Sequence, residues 1–279
     1  MDWEKVKKLI IFFLCLLNIS LTGLIYYNNR AYRLTLNHER NIMSVLQQNN
    51  IIFYSELIRN FSPMRQIEMQ LPEYDHELLL SLFMNDLNSV RQSMERNRII
   101  YRNETETLII DDSEIIYRNR NGGGVTDISH EEAERTAKDF VQKIRRLGGS
   151  FVADTAVPIE TEEGLLFQYR EMYRGFIINS NYINITINSK GITRVEFSYF
   201  KPVAFVGVRR DICSADEALL TVMYGIRNIF GEYTEPKFIT RMDIVYHNNL
   251  STRASPYYRI FISGFLEPFL INAYENTLL

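Results

Sequence analysis

The residue types that could bind a metal are few and scattered along this chain. None of its four histidines stands in an H-x-x-x-H frame, and no C-x-x-C pair accompanies them: His38, His76, His130 and His247. Zinc sites typically bring such ligands together at short, recognisable spacings. The sequence therefore predicts neither a metal site nor another cofactor.

Two short motifs suggest acid–base chemistry or phosphate binding, but each has a simpler explanation. Asp111, Asp112 and Glu114 could supply paired carboxylates. Asp and Ser are also strong turn formers, so a hairpin turn accounts for this cluster. Gly122-Gly123-Gly124 is not followed by Lys-Ser/Thr, as a phosphate-binding loop would be, and is typical of a linker or hairpin tip.

The sequence also contains no recognisable motif for nucleophilic catalysis. Ser263-Gly264 lacks the G-x-S-x-G frame of serine hydrolases. Cys213 directly precedes a predicted helix, whose N-terminus could lower a thiol pKa, but a catalytic cysteine would also need a histidine partner in space. A small buried thiol is the simpler interpretation. The sequence thus predicts a protein that is not an enzyme.

The most informative segment is instead the apolar run near the N-terminus. No residue from Leu9 to Tyr27 is charged. At about 1.5 Å per helical residue the run spans roughly 28 Å, close to the ~30 Å hydrocarbon core of a bilayer. A signal peptide usually has a shorter apolar region that ends in a small-x-small cleavage site, whereas this run ends in TGLIYYNNR. We therefore predict a retained transmembrane anchor at residues 9–27, in contact with the lipid bilayer.

Flanking charges predict the orientation of this anchor. Lys5, Lys7 and Lys8 precede it, whereas Arg30 and Arg33 follow it. The excess of cations on the N-terminal side places residues 1–8 in the cytoplasm. We expect a single-pass protein of the cell membrane with its C-terminal domain outside.

The composition fits one folded domain beyond the anchor. The 279 residues are 46% hydrophobic and 23% charged, and without residues 1–8 the chain keeps 28 basic against 32 acidic residues. A mildly acidic domain argues against nucleic acid as a partner. Cys15 lies within the anchor and Cys213 is alone beyond it, so no disulfide can form within the exported part. This usage suits a low-cysteine bacterial exterior.

The exported part alternates helix-like and strand-like segments. Two S-x-x-E-A motifs each predict a helix start with a capping box, the first from Ser129 and Glu132, the second from Ser214 and Glu217. Strand-rich sequence follows each helix. This order suggests an α+β domain of antiparallel sheets with helices, with 28–128 as a membrane-proximal part and 129–279 as a duplicated helix-plus-meander part. S-x-x-E-A is also a common helix start, so chance repetition remains an alternative.

The anchor carries polar and small residues at Asn18, Ser20, Thr22 and Gly23. In lipid, such side chains favour contacts between helices, because they allow close approach and interhelical hydrogen bonds. A partner helix in the membrane is one explanation. Tolerated polar residues in an otherwise adequate anchor are the other, and the sequence leaves both open.

The whole chain resembles the YycI (WalI) regulatory proteins of low-GC Gram-positive bacteria. The resemblance lies in the order of weak motifs: the start MDW, the lysine-bearing segment, the single anchor, the juxtamembrane helix running into QQNNIIF, YRGFIINSNYINITINSKGI, the helix from Ser214 and the closing YYRIFISGFLEPFLINAYEN. The two helix-plus-strands units are also similar to PepSY-type domains.

This resemblance implies a function and partners. Proteins of this family modulate a membrane histidine kinase that controls cell-wall metabolism (YycG/WalK), together with a single-span protein, YycH. They act largely through transmembrane helix contacts, and their exported domain is non-catalytic, so no catalytic residue carries over. Two alternatives stay open: a binding or assembly module of another cell-envelope system, and an anchored extracytoplasmic enzyme.

Overall fold

A computed structural model describes residues 3–87, 89–96, 98–111, 114–120, 128–231, 235–249, 251–265 and 267–279. Asp112 and Gly122–Gly124 lie outside the described residues. The chain divides into two compact units. The first comprises Met1–Met64, Arg209–Asp243 and Tyr258–Leu279, and the second comprises Arg65–Val208 and Ile244–Tyr257. The sequence-based division after residue 128 remains an interpretation of the pattern.

The described helices are α1 (Trp3–Ala31), α2 (Leu36–Gln48), α3 (His76–Phe83), α4 (His130–Ile144) and α5 (Ala215–Phe230). The described strands begin with β1 (Ile51–Phe53), β2 (Met64–Gln70), β3 (Arg91–Glu95), β4 (Arg98–Arg102), β5 (Glu106–Ile110), β6 (Glu114–Asn119), β7 (Phe151–Ala153) and β8 (Ile159–Thr161). They continue with β9 (Gly164–Tyr173), β10 (Phe176–Asn188), β11 (Gly191–Ser198), β12 (Lys201–Arg210), β13 (Lys237–His247), β14 (Arg253–Ile262), β15 (Phe269–Asn272) and β16 (Thr277–Leu278).

Both S-x-x-E-A motifs begin helices. At the start of α4, Ser129 Oγ accepts a hydrogen bond from the Glu132 amide at 3.2 Å. At the start of α5, the Ser214 amide donates to the Glu217 carboxylate at 2.9 Å. These bonds satisfy amide groups that a helix N-terminus leaves without an intrahelical partner. Strands follow each of the two helices, so the helix-then-strands order occurs twice.

The first unit places α5 beside short strands. The buried side of α5 carries Leu219, Val222 and Ile226. Strand β1 pairs in parallel with β13 from Ile51↔Lys237 to Phe53↔Ile239, whereas β15 and β16 are antiparallel. Apolar residues spaced three and four apart on α5 form one face, which explains why this side is buried.

The second unit is built on antiparallel strands. In order of pairing, β3, β4, β5, β6, β11, β10 and β9 lie side by side, and β7 and β8 pair with the far edge of β9. Alternate residues on β4, β5, β6, β9, β10 and β11 face a common apolar core that also contains side chains of α3 and α4. An apolar N-terminal helix followed by antiparallel sheets with helices confirms the predicted α+β class.

Candidate functional site

Helix α1 presents its whole apolar surface to the surroundings. The segment Trp3–Tyr27 is long and apolar enough to cross a membrane, and none of its most hydrophobic stretch is buried inside the protein. The exposed fractions of its large apolar side chains run from 48% at Leu21 to 77% at Tyr27. Such a surface is stable in lipid or against another apolar helix, and unfavourable in water.

Two polar side chains of this helix donate hydrogen bonds to backbone carbonyls of the same helix. Asn18 Nδ2 donates to the Leu14 carbonyl at 2.8 Å, and Thr22 Oγ1 donates to the Asn18 carbonyl at 2.8 Å. Satisfying these donors within the helix lowers the cost of placing them in a bilayer. The Asn18 side-chain oxygen takes no part in these two bonds, so it can accept a hydrogen bond from a neighbouring helix.

The four polar and small residues of α1 that the sequence singled out lie on two faces of the helix. At 3.6 residues per turn, Asn18 and Thr22 lie one turn apart on one face, whereas Ser20 and Gly23 lie on another. Nothing lies within 4 Å of the point where a Gly23 side chain would begin. A single partner helix could therefore contact one pair, and the two pairs can be altered separately.

The C-terminal end of α1 is tied to the first unit. Directly after the helix, the Phe61 amide donates to the Tyr32 carbonyl at 3.1 Å, and the Leu34 amide donates to the Arg59 carbonyl at 2.8 Å. The Tyr32 hydroxyl donates to Asp211 at 3.0 Å, and this hydrogen bond raises the pKa of Tyr32. These bonds hold the chain that follows α1 in a defined position at the end of the helix.

Helix α2 adds a second connection at this junction. Arg59 donates from Nε and Nη2 to the two carboxylate oxygens of Glu39, at 3.1 and 3.0 Å. Thr35 Oγ1 caps the helix by accepting from the His38 amide at 3.4 Å. No local motif in the sequence predicts the contacts of Tyr32 and Arg59, because their partners lie 179 and 20 residues away.

The four histidines lie in different surroundings. His38 lies 3.5 Å from the Asp216 carboxylate, and His76 Nδ1 lies 2.9 Å from the Tyr101 hydroxyl. Burial lowers the pKa of His247. His130 lines an open cavity of about 220 Å³ beside the Glu134–Lys138 ion pair. Among the described residues, no three His, Cys, Asp or Glu side chains are grouped so as to hold a metal ion.

The other candidates for chemistry are also separated. Asp111 accepts from Arg98 Nε at 2.8 Å, whereas Glu114 accepts from the Tyr182 hydroxyl at 2.7 Å. Burial and the neighbouring Glu217 raise the pKa of the Cys213 thiol to about 12. The predicted position before a helix therefore does not activate this thiol, because desolvation of the thiolate outweighs any effect of the helix N-terminus.

Comparisons with known proteins identify the fold. No protein-family model and no curated protein matches the sequence. An uncharacterized protein from Eubacterium rectale has a similar structure, with a TM-score of 0.53 and 11% identity over 86% of this chain and 98% of that one. YycH from Bacillus subtilis gives a TM-score of 0.47 at 9% identity, over 75% of this chain and 54% of that one. The C-terminal domain of Bacillus megaterium YpeB gives a TM-score of 0.40 at 11% identity, over 74% of this chain and 96% of that one.

At 11% identity, the similarity to the Eubacterium rectale protein establishes a shared fold and nothing about function. The similarities to YycH and to the YpeB domain have TM-scores below 0.5 and carry no argument. Fold and site together define an α+β protein with an N-terminal helix that is able to span a membrane.

Proposed function

We propose that this protein is a non-catalytic, membrane-anchored regulator of a sensor histidine kinase. In this proposal the N-terminus is cytoplasmic, α1 crosses the membrane, and the remaining chain lies outside the cell. The sequence resemblance to YycI proteins supplies the kinase class, YycG/WalK-like, and a YycH-like single-span protein as a further partner. The contact with the kinase is made by α1.

The observation that carries this proposal is that the apolar helix α1 is not buried within the protein. The span is unburied, and it includes a polar side chain whose oxygen can accept a further bond. A helix used only as an anchor needs no polar group near its centre, whereas a helix that binds another gains from one. The bonds of Tyr32 and Leu34 then provide a physical connection from this helix to the first unit.

A regulator of this kind acts by binding the two signalling states of the kinase with different affinity. A difference of about 1.4 kcal/mol changes the ratio of the states about tenfold. Interhelical hydrogen bonds in membranes contribute about 0.6 kcal/mol on average and up to about 1.7 kcal/mol. One or two such bonds and the packing around them are sufficient for the proposed effect.

The paired substitution Asn18→Leu with Thr22→Leu tests the polar face of α1. We expect the amount of kinase that co-purifies with the full-length protein to fall about threefold to tenfold, because an interhelical hydrogen bond is removed while the apolar length is kept. The amount of protein in the membrane fraction should not fall. Co-purification from solubilised membranes measures the first quantity, and fractionation measures the second.

The matched control is Ser20→Leu with Gly23→Leu on the other face. A loss of kinase confined to this control would move the contact to that face. Unchanged association in both variants would mean that the polar residues are merely tolerated, and the role proposed for them would be wrong.

A further inference from the structure

Strand register in the second unit places arginines from four strands in a row. Arg91 on β3 pairs with Arg102 on β4, and Arg102 pairs with Thr107 on β5. Thr107 pairs with Arg118 on β6, and Arg118 pairs with Arg194 on β11. Directly paired residues lie on the same face of a sheet. We call this set the arginine row; with adjacent strands about 4.8 Å apart it extends over about 19 Å.

The arginine row lies on the face of the sheet opposite the apolar core. The neighbouring positions on the same strands, Tyr101, Leu108, Tyr117 and Val195, belong to that core with α3 and α4. Since side chains alternate along a strand, the arginines point the other way. Arg91, Arg102 and Arg118 are exposed accordingly.

Among the described residues, one of these arginines has a carboxylate partner and three do not. Arg194 is paired with Glu196 on its own strand. For Arg91, Arg102 and Arg118, no ion pair occurs within the part of the chain that the structure describes. The row also places like charges directly opposite one another twice, at Arg91↔Arg102 and Arg118↔Arg194. Such pairs destabilise a sheet by repulsion, and an anionic partner would relieve this repulsion.

An apolar row runs beside the arginine row. Ile100, Ile109 and Ile116 pair across β4, β5 and β6, two residues from Arg102, Thr107 and Arg118. They lie on the same face, roughly 7 Å from the arginine row. Ile100 is buried, at 6% exposed, whereas Ile109 and Ile116 are partly exposed, and none of the three belongs to the apolar core formed with α3 and α4. We call these residues the isoleucine row.

We propose that this face binds an acidic amphipathic helix of another protein. Its carboxylates would pair with Arg91, Arg102 and Arg118. Its apolar stripe would lie on the partly exposed side chains of the isoleucine row, Ile109 and Ile116. A helix about 10 Å wide covers two rows that are roughly 7 Å apart, and about thirteen helical residues match the ~19 Å length. Arginine suits this role because its fork donates two hydrogen bonds to one carboxylate.

The exposed parts of Ile109 and Ile116 favour such a helix over a simple polyanion, since a polyanion would leave these two side chains uncovered. A second copy of this chain would bring two arginine rows together and is disfavoured by repulsion. This inference does not rest on the proposed kinase contact in the membrane and can hold if that contact fails.

The test uses the full-length protein in nanodiscs of zwitterionic lipid. The probe is a fluorescein-labelled peptide of glutamate and leucine with leucines at i, i+3, i+4 and i+7, and fluorescence anisotropy reports its binding. We expect saturable binding that weakens as salt is added. The double change Arg102→Gln with Arg118→Gln should weaken binding about tenfold. Ile109→Thr should weaken it about threefold.

A stability measurement separates loss of the surface from loss of the fold. The melting temperature of the Arg102→Gln, Arg118→Gln protein should equal or exceed that of the wild type, because cross-strand repulsion is removed. The matched control, Arg135→Gln with Arg146→Gln, changes two exposed arginines elsewhere in the same unit and should leave binding unchanged.

The absence of saturable binding would overturn the inference. So would equal binding of a scrambled peptide of the same composition, or equal losses in the control pair. Binding of inorganic polyphosphate together with unaltered peptide binding by Ile109→Thr would show a general polyanion surface instead.

Discussion

Asp243→Ala is expected to lower the free energy of unfolding of the first unit by about 3 kcal/mol. Asp243 on β13 accepts from Arg259 Nε at 2.9 Å and from Arg259 Nη2 at 2.8 Å. The Arg259 side chain on β14 is fully buried. Removal of the carboxylate leaves a buried guanidinium without its counter-charge, which costs far more than the loss of a surface ion pair.

Arg241 supplies the matched control for this prediction. It donates from Nη2 to the same Asp243 carboxylate at 2.6 Å, but a third of its side chain is exposed. Arg241→Ala leaves the Asp243–Arg259 pair intact and should cost no more than about 1 kcal/mol. Urea unfolding of the full-length proteins in mild detergent, followed by circular dichroism, measures both. Equal costs for the two variants would contradict the role assigned to the buried arginine.

Glu171→Gln is expected to stabilise the second unit at pH 8 by up to about 3 kcal/mol and to have little effect at pH 5. Glu171 on β9 is 3% exposed, and burial raises its pKa to about 7. Its neighbour is Asn181, whose Nδ2 donates to the carboxylate and opposes part of this rise. The carboxylate is therefore held where its charged form is poorly solvated.

The direction of this pH dependence follows from the raised pKa. In the unfolded chain the carboxyl ionises around its ordinary pKa of 4.5, whereas in the folded chain it stays protonated up to about 7. Between these values the folded state binds more protons, so stability falls as pH rises through this window. Below it the group is neutral in both states and contributes no such loss. Glutamine cannot ionise and removes the dependence.

Urea midpoints of the wild type and of Glu171→Gln at pH 5 and pH 8 measure this effect. The same substitution at the exposed Glu162 is the control and should not change the pH dependence. If Glu171→Gln changed stability by the same amount at both pH values, the raised pKa would be wrong.

Local sequence signals predicted the parts of the fold that local interactions determine. The apolar run of α1 and the two S-x-x-E-A helix starts depend on neighbouring residues, so length and capping chemistry were sufficient. The α+β class followed from alternation of such signals. Whether Asn18 and Thr22 form a contact stays a prediction.

Features that depend on strand register could not be predicted in this way. The arginine row combines residues from Arg91 to Arg194, and only the pairing of five strands shows that they share a face. The hydrogen bond from Asn181 to Glu171 is a second example, because Asn181 lies in β10 between Ile178 and Tyr182, where the register with β9 shifts. Single-residue patterns carry no information on such long-range positions.

The proposed kinase contact through α1 is tested most directly by exchanging the anchor. The tagged full-length protein and a version whose residues 9–27 are replaced by an unrelated transmembrane helix would be purified from solubilised membranes. A sensor histidine kinase that accompanies the native anchor and is lost with the exchanged one is the predicted result. A kinase retained by both would place the contact in the chain beyond α1, and a kinase absent from both would favour an assembly module of another envelope system. Either of these results would contradict the proposal.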